Sequence, residues 1–156
     1  MLRFESTRFD MLKTIISLLF ILITALSYGQ DKVQWSYSFD SELSMVLVKA
    51  EIAEGWHLYS QYIENEIGPI PTSITFEESN GVQIIGETIE PESLKEYDPN
   101  FEGDLNFFKD EVVFKQKIKL EKEKSATING VVTFMVCNDT MCLPPTDLEF
   151  SLMINK

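Results

Sequence analysis

The chain has 156 residues, 44% of them hydrophobic and 24% charged, with a formal net charge of −12 and two cysteines. That length supports one domain with a real core. The acidic balance argues against nucleic-acid binding, because a phosphate backbone would repel such a surface.

From Met11 the sequence reads MLKTIISLLFILITALSYGQ. Lys13 gives a short positive n-region, and Ile15 to Leu26 is an apolar run of about a dozen residues, short for a bilayer span. Ser27 and Gly29 are small residues at the −3 and −1 positions of a cut before Gln30. This pattern predicts a secretory signal peptide over residues 1–29, with Met11 as an alternative start. A retained anchor helix is the competing reading. No cysteine follows the apolar run, which argues against a lipid anchor. The remaining domain, 30–156, carries 10 Lys, no Arg and 23 Asp plus Glu, a net charge of −13. An exported domain lives where disulfides persist, and an even count of two cysteines fits one bond.

Along the domain the pattern is strand throughout. VQWSYSF (33–39) alternates Trp35, Tyr37 and Phe39, and LSMVLVKAEI (43–52) alternates Val46, Val48 and Ala50 against Met45, Leu47 and Lys49. SITFEE (73–78) and VQIIGE (82–87) are short β-rich runs. VVFKQKIKL (112–120), TINGVVTFMV (127–136) and DLEFSLMIN (147–155) continue the alternation. Period two over so many segments means half-buried antiparallel strands. About seven short strands predict an all-β, immunoglobulin-like antiparallel sandwich, with a small barrel as the alternative. Two stretches break the pattern. NEIGPIP (65–71) reads as a loop. Residues 91–110 show no strand period but hold Tyr97, Phe101, Phe107 and Phe108. A loop that rich in aromatics is expected to pack on something.

Both cysteines lie in VCNDTMCLPP (136–145), Cys137 at the end of one strand and Cys142 on the approach to the next. The turn-prone Asn-Asp-Thr-Met between them brings their Cα atoms within disulfide range. As a staple the bond closes a loop of about six residues, which is worth about 2 kcal/mol. If Phe134 and Val136 face the core, Cys137 faces away, and an accessible sulfur suits exchange chemistry. Pro144 and Pro145 stiffen the exit. As a metal site the pair is incomplete: zinc needs two more ligands and His57 is the sole histidine, although Met135 and Met141 could complete a soft copper(I) site. Spacing and context exclude a thioredoxin motif. Composition and spacing alone leave the redox and structural readings open.

The segment VTFMVCNDTMCLPPTDLEF (132–150) resembles the end of the N-terminal periplasmic domain of DsbD-type thiol:disulfide interchange proteins. EGWHLYSQYI (54–63) and NFEGDLNFFKDEVVF (100–114) resemble two upstream segments of that family, in the same order. The resemblance implies an immunoglobulin-like fold and a thiol:disulfide oxidoreductase activity without a cofactor. It implies Cys137 and Cys142 as the redox pair, with partner attack assigned to Cys142. It implies Phe101 as an aromatic cap over the sulfurs, with His57 and Tyr59 bordering them. Asp98 beside the cap would raise the thiol pKa if it reaches the site, but reads more simply as a surface acid. A cationic His57 would favour thiolate, against the alternative that the ring is merely packed. The implied partners are a thioredoxin-like or membrane-embedded protein reductant and oxidised exported clients, in the periplasm. The spacing departs from the best-known members, four residues between the cysteines where they have five. Neither a membrane region nor a thioredoxin-like region is present in this sequence, so the expected reductant is a separate protein. The rival is a non-redox binding module with a structural hairpin disulfide.

Overall fold

A computed structural model describes residues 32–63, 68–77, 81–121 and 125–155. The predicted signal peptide lies outside the described residues, as do 65–67 of the predicted loop and Glu78 of the predicted strand 73–78.

Eleven strands form among the described residues: β1 (Val33–Asp40), β2 (Met45–Ile52), β3 (His57–Tyr59), β4 (Ser73–Phe76), β5 (Val82–Ile89), β6 (Leu94–Asp98), β7 (Gly103–Phe108), β8 (Glu111–Leu120), β9 (Ser125–Phe134), β10 (Val136–Cys137) and β11 (Thr146–Asn155). They pair antiparallel in three sheets, ordered β1-β2-β8-β5, β11-β9-β4 and β10-β3-β7-β6. The first two sheets face each other as the predicted immunoglobulin-like sandwich. Tyr37 of β1 stacks on Phe150 of β11 at 4.3 Å, and Trp35 meets Phe134 of β9 at 5.2 Å.

The alternating residues build this core as the periodicity requires. Val46, Val48 and Ala50 of β2, Phe114 and Ile118 of β8, and Ile128, Val132 and Phe134 of β9 form one buried cluster. Asp40 closes the β1–β2 turn, its Oδ1 accepting from the backbone N–H groups of Glu42 and Leu43. Gly130 is demanded by a close approach: a Cβ there would lie 2.4 Å from the Thr75 carbonyl oxygen. One polar side chain sits on the buried face of β8. Gln116 accepts from the Thr88 hydroxyl at 2.8 Å and donates to the Ile85 carbonyl at 3.0 Å. It thereby fills the gap where the β5–β8 register shifts between Ile85 and Ile89.

The structure corrects the reading of 91–110 as a loop. That stretch holds β6 and β7, which pair with each other from Leu94↔Phe107 to Asp98↔Gly103. β6 is an edge strand, exposed at Leu94, Lys95, Glu96 and Tyr97, so no apolar face imposes a period. β7 buries the consecutive residues Phe107 and Phe108, which defeats period two from the other direction. β3 went unread because three buried residues are too few to show alternation. These short strands make up most of the third sheet, which carries the cysteines.

Candidate active site

β10 lies against β3, with Val136 opposite Leu58 and Cys137 opposite His57. β3 in turn pairs with β7, Tyr59 opposite Phe107. Regular pairing of β9 stops at Phe134, and Met135 separates it from β10. Val136 stays with the sandwich core, and Cys137 joins a second, smaller cluster with Tyr59, Leu105 and Phe107. Phe101, Met135, Ile63 and Cys142 pack against that cluster, partly buried. Strand parity therefore holds in one respect and fails in another. Cys137 leaves the main core as predicted, but it is 0% exposed rather than accessible. Cys142 is the partly exposed member of the pair.

The two cysteines are joined in a disulfide with Cα atoms 4.0 Å apart. The turn between them has its own hydrogen bonds. Asn138 N–H donates to the Met141 carbonyl, and Asn138 Oδ1 accepts from the Thr140 N–H, the Thr140 hydroxyl and the Met141 N–H, each at 2.9 Å. Past Cys142, Leu143 N–H donates to the Val136 carbonyl at 2.9 Å, and the Leu143 side chain packs on the sandwich core. That anchor and the following Pro144-Pro145 fix the exit of the chain.

A buried polar network adjoins the cluster. Tyr59 donates its hydroxyl proton to Asp98 Oδ2 at 2.6 Å. His57 Nε2 lies 3.0 Å from the same oxygen and 3.1 Å from the Tyr59 hydroxyl. Since the tyrosine proton is committed to the carboxylate, Nε2 is the nitrogen that carries the ring proton. The imidazole stacks on Phe107 at 4.5 Å. Asp98 is 1% exposed, which overturns its reading as a surface acid. Burial alone would raise its carboxyl. Hydrogen bonds from Tyr59 and from the backbone and side chain of Asn100, with the charge of His57, outweigh burial and hold it below its ordinary value. Burial, together with the bond to Asp98, pushes the Tyr59 hydroxyl up, so it stays protonated. Burial lowers His57 despite the opposing pull of Asp98. That direction disfavours the cationic ring that would favour a thiolate.

Phe101 follows β6 on the turn into β7, where its ring meets Tyr59 edge-on at 6.0 Å. The turn is set by Asp98, whose Oδ1 accepts from Asn100 N–H at 2.8 Å and from Asn100 Nδ2 at 3.1 Å. Asn100 Nδ2 also donates to the Asn138 carbonyl at 2.8 Å. All six residues singled out in the sequence thus come together at this end: Cys137, Cys142, Phe101, Asp98, His57 and Tyr59. Sequence reasoning missed Asn100 and Asn138. The available signals were Asp-Pro-Asn for Asn100 and the turn-prone Asn-Asp-Thr-Met for Asn138, runs whose side chains bond nearby backbone. No group of three His, Cys, Asp or Glu side chains that could hold a metal converges among the described residues.

No curated protein matches the chain. Several solved structures resemble it. The reduced N-terminal domain of DsbD from Neisseria meningitidis aligns with a TM-score of 0.61 at 16% identity, covering 85% of this chain and 94% of that one. The complex between the DsbD and PilB N-terminal domains of the same organism aligns at 0.55 and 17% identity, covering 76% and 80%. The N-terminal periplasmic domain of ScsB from Proteus mirabilis aligns at 0.50 and 23% identity, covering 77% of this chain and 44% of that one. At these identities the likeness shows a shared fold. Residues 28–154 match the family described as thiol:disulfide interchange protein DsbD, N-terminal, and the chain belongs to that family, whose chemistry is thiol-disulfide exchange.

Proposed function

We propose that this is an exported, periplasmic domain that passes electrons from a separate protein reductant to oxidised extracytoplasmic proteins through Cys137 and Cys142. In the reduced state the Cys142 thiolate attacks a partner disulfide, forming a mixed disulfide and displacing one partner thiolate. The Cys137 thiolate then attacks Cys142 Sγ, closing the intramolecular disulfide and releasing the second partner thiolate. Two electrons pass to the partner, and both released thiolates take up protons. A protein reductant, thioredoxin-like or membrane-embedded, returns the pair to the thiol form by the reverse exchange. Phe101 caps the sulfurs until a partner displaces it. Cleavage before Gln30 delivers the domain to the periplasm, a location that fits the description of the ScsB domain as periplasmic.

The observation that carries this reading is the asymmetry of the pair. Cys137 is wholly buried and Cys142 reaches the surface, as a resolving and an attacking thiol require. The structural-staple reading has less support, because the turn is already closed by the hydrogen bonds of Asn138. Single-cysteine variants test the assignment. Cys137→Ser, reduced and mixed with oxidised periplasmic extract, should accumulate mixed disulfides on non-reducing gels, and Cys142→Ser far fewer. Stronger trapping by Cys142→Ser would reverse the roles. No trapping by either, with a reduction potential below about −300 mV, would leave only a structural bond.

A further inference from the structure

The turn that carries Phe101 and the turn that carries the cysteines are separate in sequence, and one side chain bridges them. Asn100 Nδ2 donates to Asp98 Oδ1 on its own turn and, at 2.8 Å, to the carbonyl of Asn138, the residue after Cys137. Both ends of the bridge are held by further hydrogen bonds. Asp98 is buried and held by Tyr59, and Asn138 is the hub of the cysteine turn through its Oδ1. Phe101, next in sequence to Asn100, packs against the cluster that holds Cys137, as Cys142 does. Its N–H makes only a long bond of 3.4 Å to the Asp98 carbonyl. The ring contact with Tyr59, at 6.0 Å between centroids, is a weak fastening too.

We propose that Asn100 is a positioning residue, a latch that holds the Phe101 turn closed on the cysteine turn and so sets how fast the disulfide is reached. The inference rests on Phe101 acting as the cap. Asn100 does not touch sulfur in this scheme. It acts through Phe101, by the free energy of one hydrogen bond between the two turns. Opening breaks the Asn100–Asn138 bond and returns both groups to water, so the opening equilibrium is expected to shift by the net worth of one such bond, roughly two- to tenfold.

Reduction by dithiothreitol measures this directly. A reagent thiolate attacks Cys142 Sγ and expels the Cys137 thiolate, which takes a proton. The reagent's second thiol then closes its own ring and releases Cys142. Asn100→Ala should speed this reaction roughly two- to tenfold. Asn100→Asp, which keeps the shape but replaces the donor by a carboxylate facing a carbonyl, should do at least as much. A fold defect is distinguished by introducing Asn100→Ala into Phe101→Ala. With the ring gone, loss of the latch should add nothing. Equal acceleration in both backgrounds would mean that Asn100 acts on the cysteine turn itself, and would overturn the latch. A fast Phe101→Ala beside an unchanged Asn100→Ala would overturn the latch and leave the cap standing. Unchanged rates in both single variants would overturn the cap and the latch together.

Discussion

The two hydrophobic clusters of this domain are built on opposite terms. The sandwich core is made by long strands that alternate, and its buried members are almost all hydrocarbon. Trp35 Nε1 and Tyr37 Oη are buried there without a hydrogen-bond partner among the described residues, and burial pushes the Tyr37 hydroxyl up to about 12. The cysteine cluster is small, framed by strands of two to six residues, and bordered by His57, Tyr59 and Asp98, which satisfy one another. The first region has apolar area to spare and can leave a polar atom unpaired. The second has little, so its geometry depends on directed bonds. Stability and reactivity are therefore expected to be separable by mutation.

The largest effect should come from the core. Phe114 is 0% exposed, and its ring meets those of Trp35 and Phe108. Phe114→Ala should cost about 3–5 kcal/mol in denaturant unfolding. The rate at which dithiothreitol reduces the still-folded protein should stay as in the parent. A matching jump in that rate would mean that the two clusters open as one unit.

Asp98→Ala should cost less and do more to the site. Removal strands a buried Tyr59 hydroxyl and His57 with only each other, at about 1–3 kcal/mol. It also takes away the acceptor that sets the Asn100 turn. Reduction should accelerate in the folded state, the reverse of the Phe114→Ala pattern. If Asp98→Ala lowers stability with no change in reduction rate, the polar network supports the fold alone and does not position the Phe101 turn.

The same contrast explains what the sequence disclosed. Val46, Val48 and Ala50 could be assigned to the core because a sheet with one wet face forces period two on its strands. β6 escaped notice because it is an edge strand with four exposed residues in succession, and β3 because it is buried on every residue. The site residues were found through the cysteine spacing and the family resemblance rather than from periodicity. Asp98 was misjudged because carboxylates are rarely buried, and nothing local announces that Tyr59 and His57 wait on β3, across β7, to receive it. Asn100 was missed for a related reason. Its role depends on the Asn138 carbonyl, which is remote in sequence and has no side-chain signature.

The smallest effect separates the regions by pH. His57 is the chain's single histidine, and burial sets its folded pKa below the ordinary 6.5, against the pull of Asp98. In the unfolded chain the ring titrates near the ordinary value. As pH falls through that value, the unfolded state takes up a proton that the folded state refuses, so stability falls. The loss ends once the pH passes the folded value. Its slope cannot exceed one proton's worth, about 1.4 kcal/mol per pH unit. Asp98 adds a second loss at lower pH: its folded value lies below the ordinary 3.8, so the stability it contributes is present above 3.8 and disappears as pH falls through the folded value. Urea unfolding of the parent should show the first decline starting near pH 6.5. In His57→Phe that decline should vanish. In Asp98→Asn it should extend to lower pH, since burial then lowers His57 without the opposing carboxylate. A parent profile flat between pH 7 and 5 would mean that the His57–Asp98 contact balances burial and that the ring titrates as it does in the unfolded chain. An unchanged decline in His57→Phe would assign the proton to the acidic surface and detach it from the cysteine cluster.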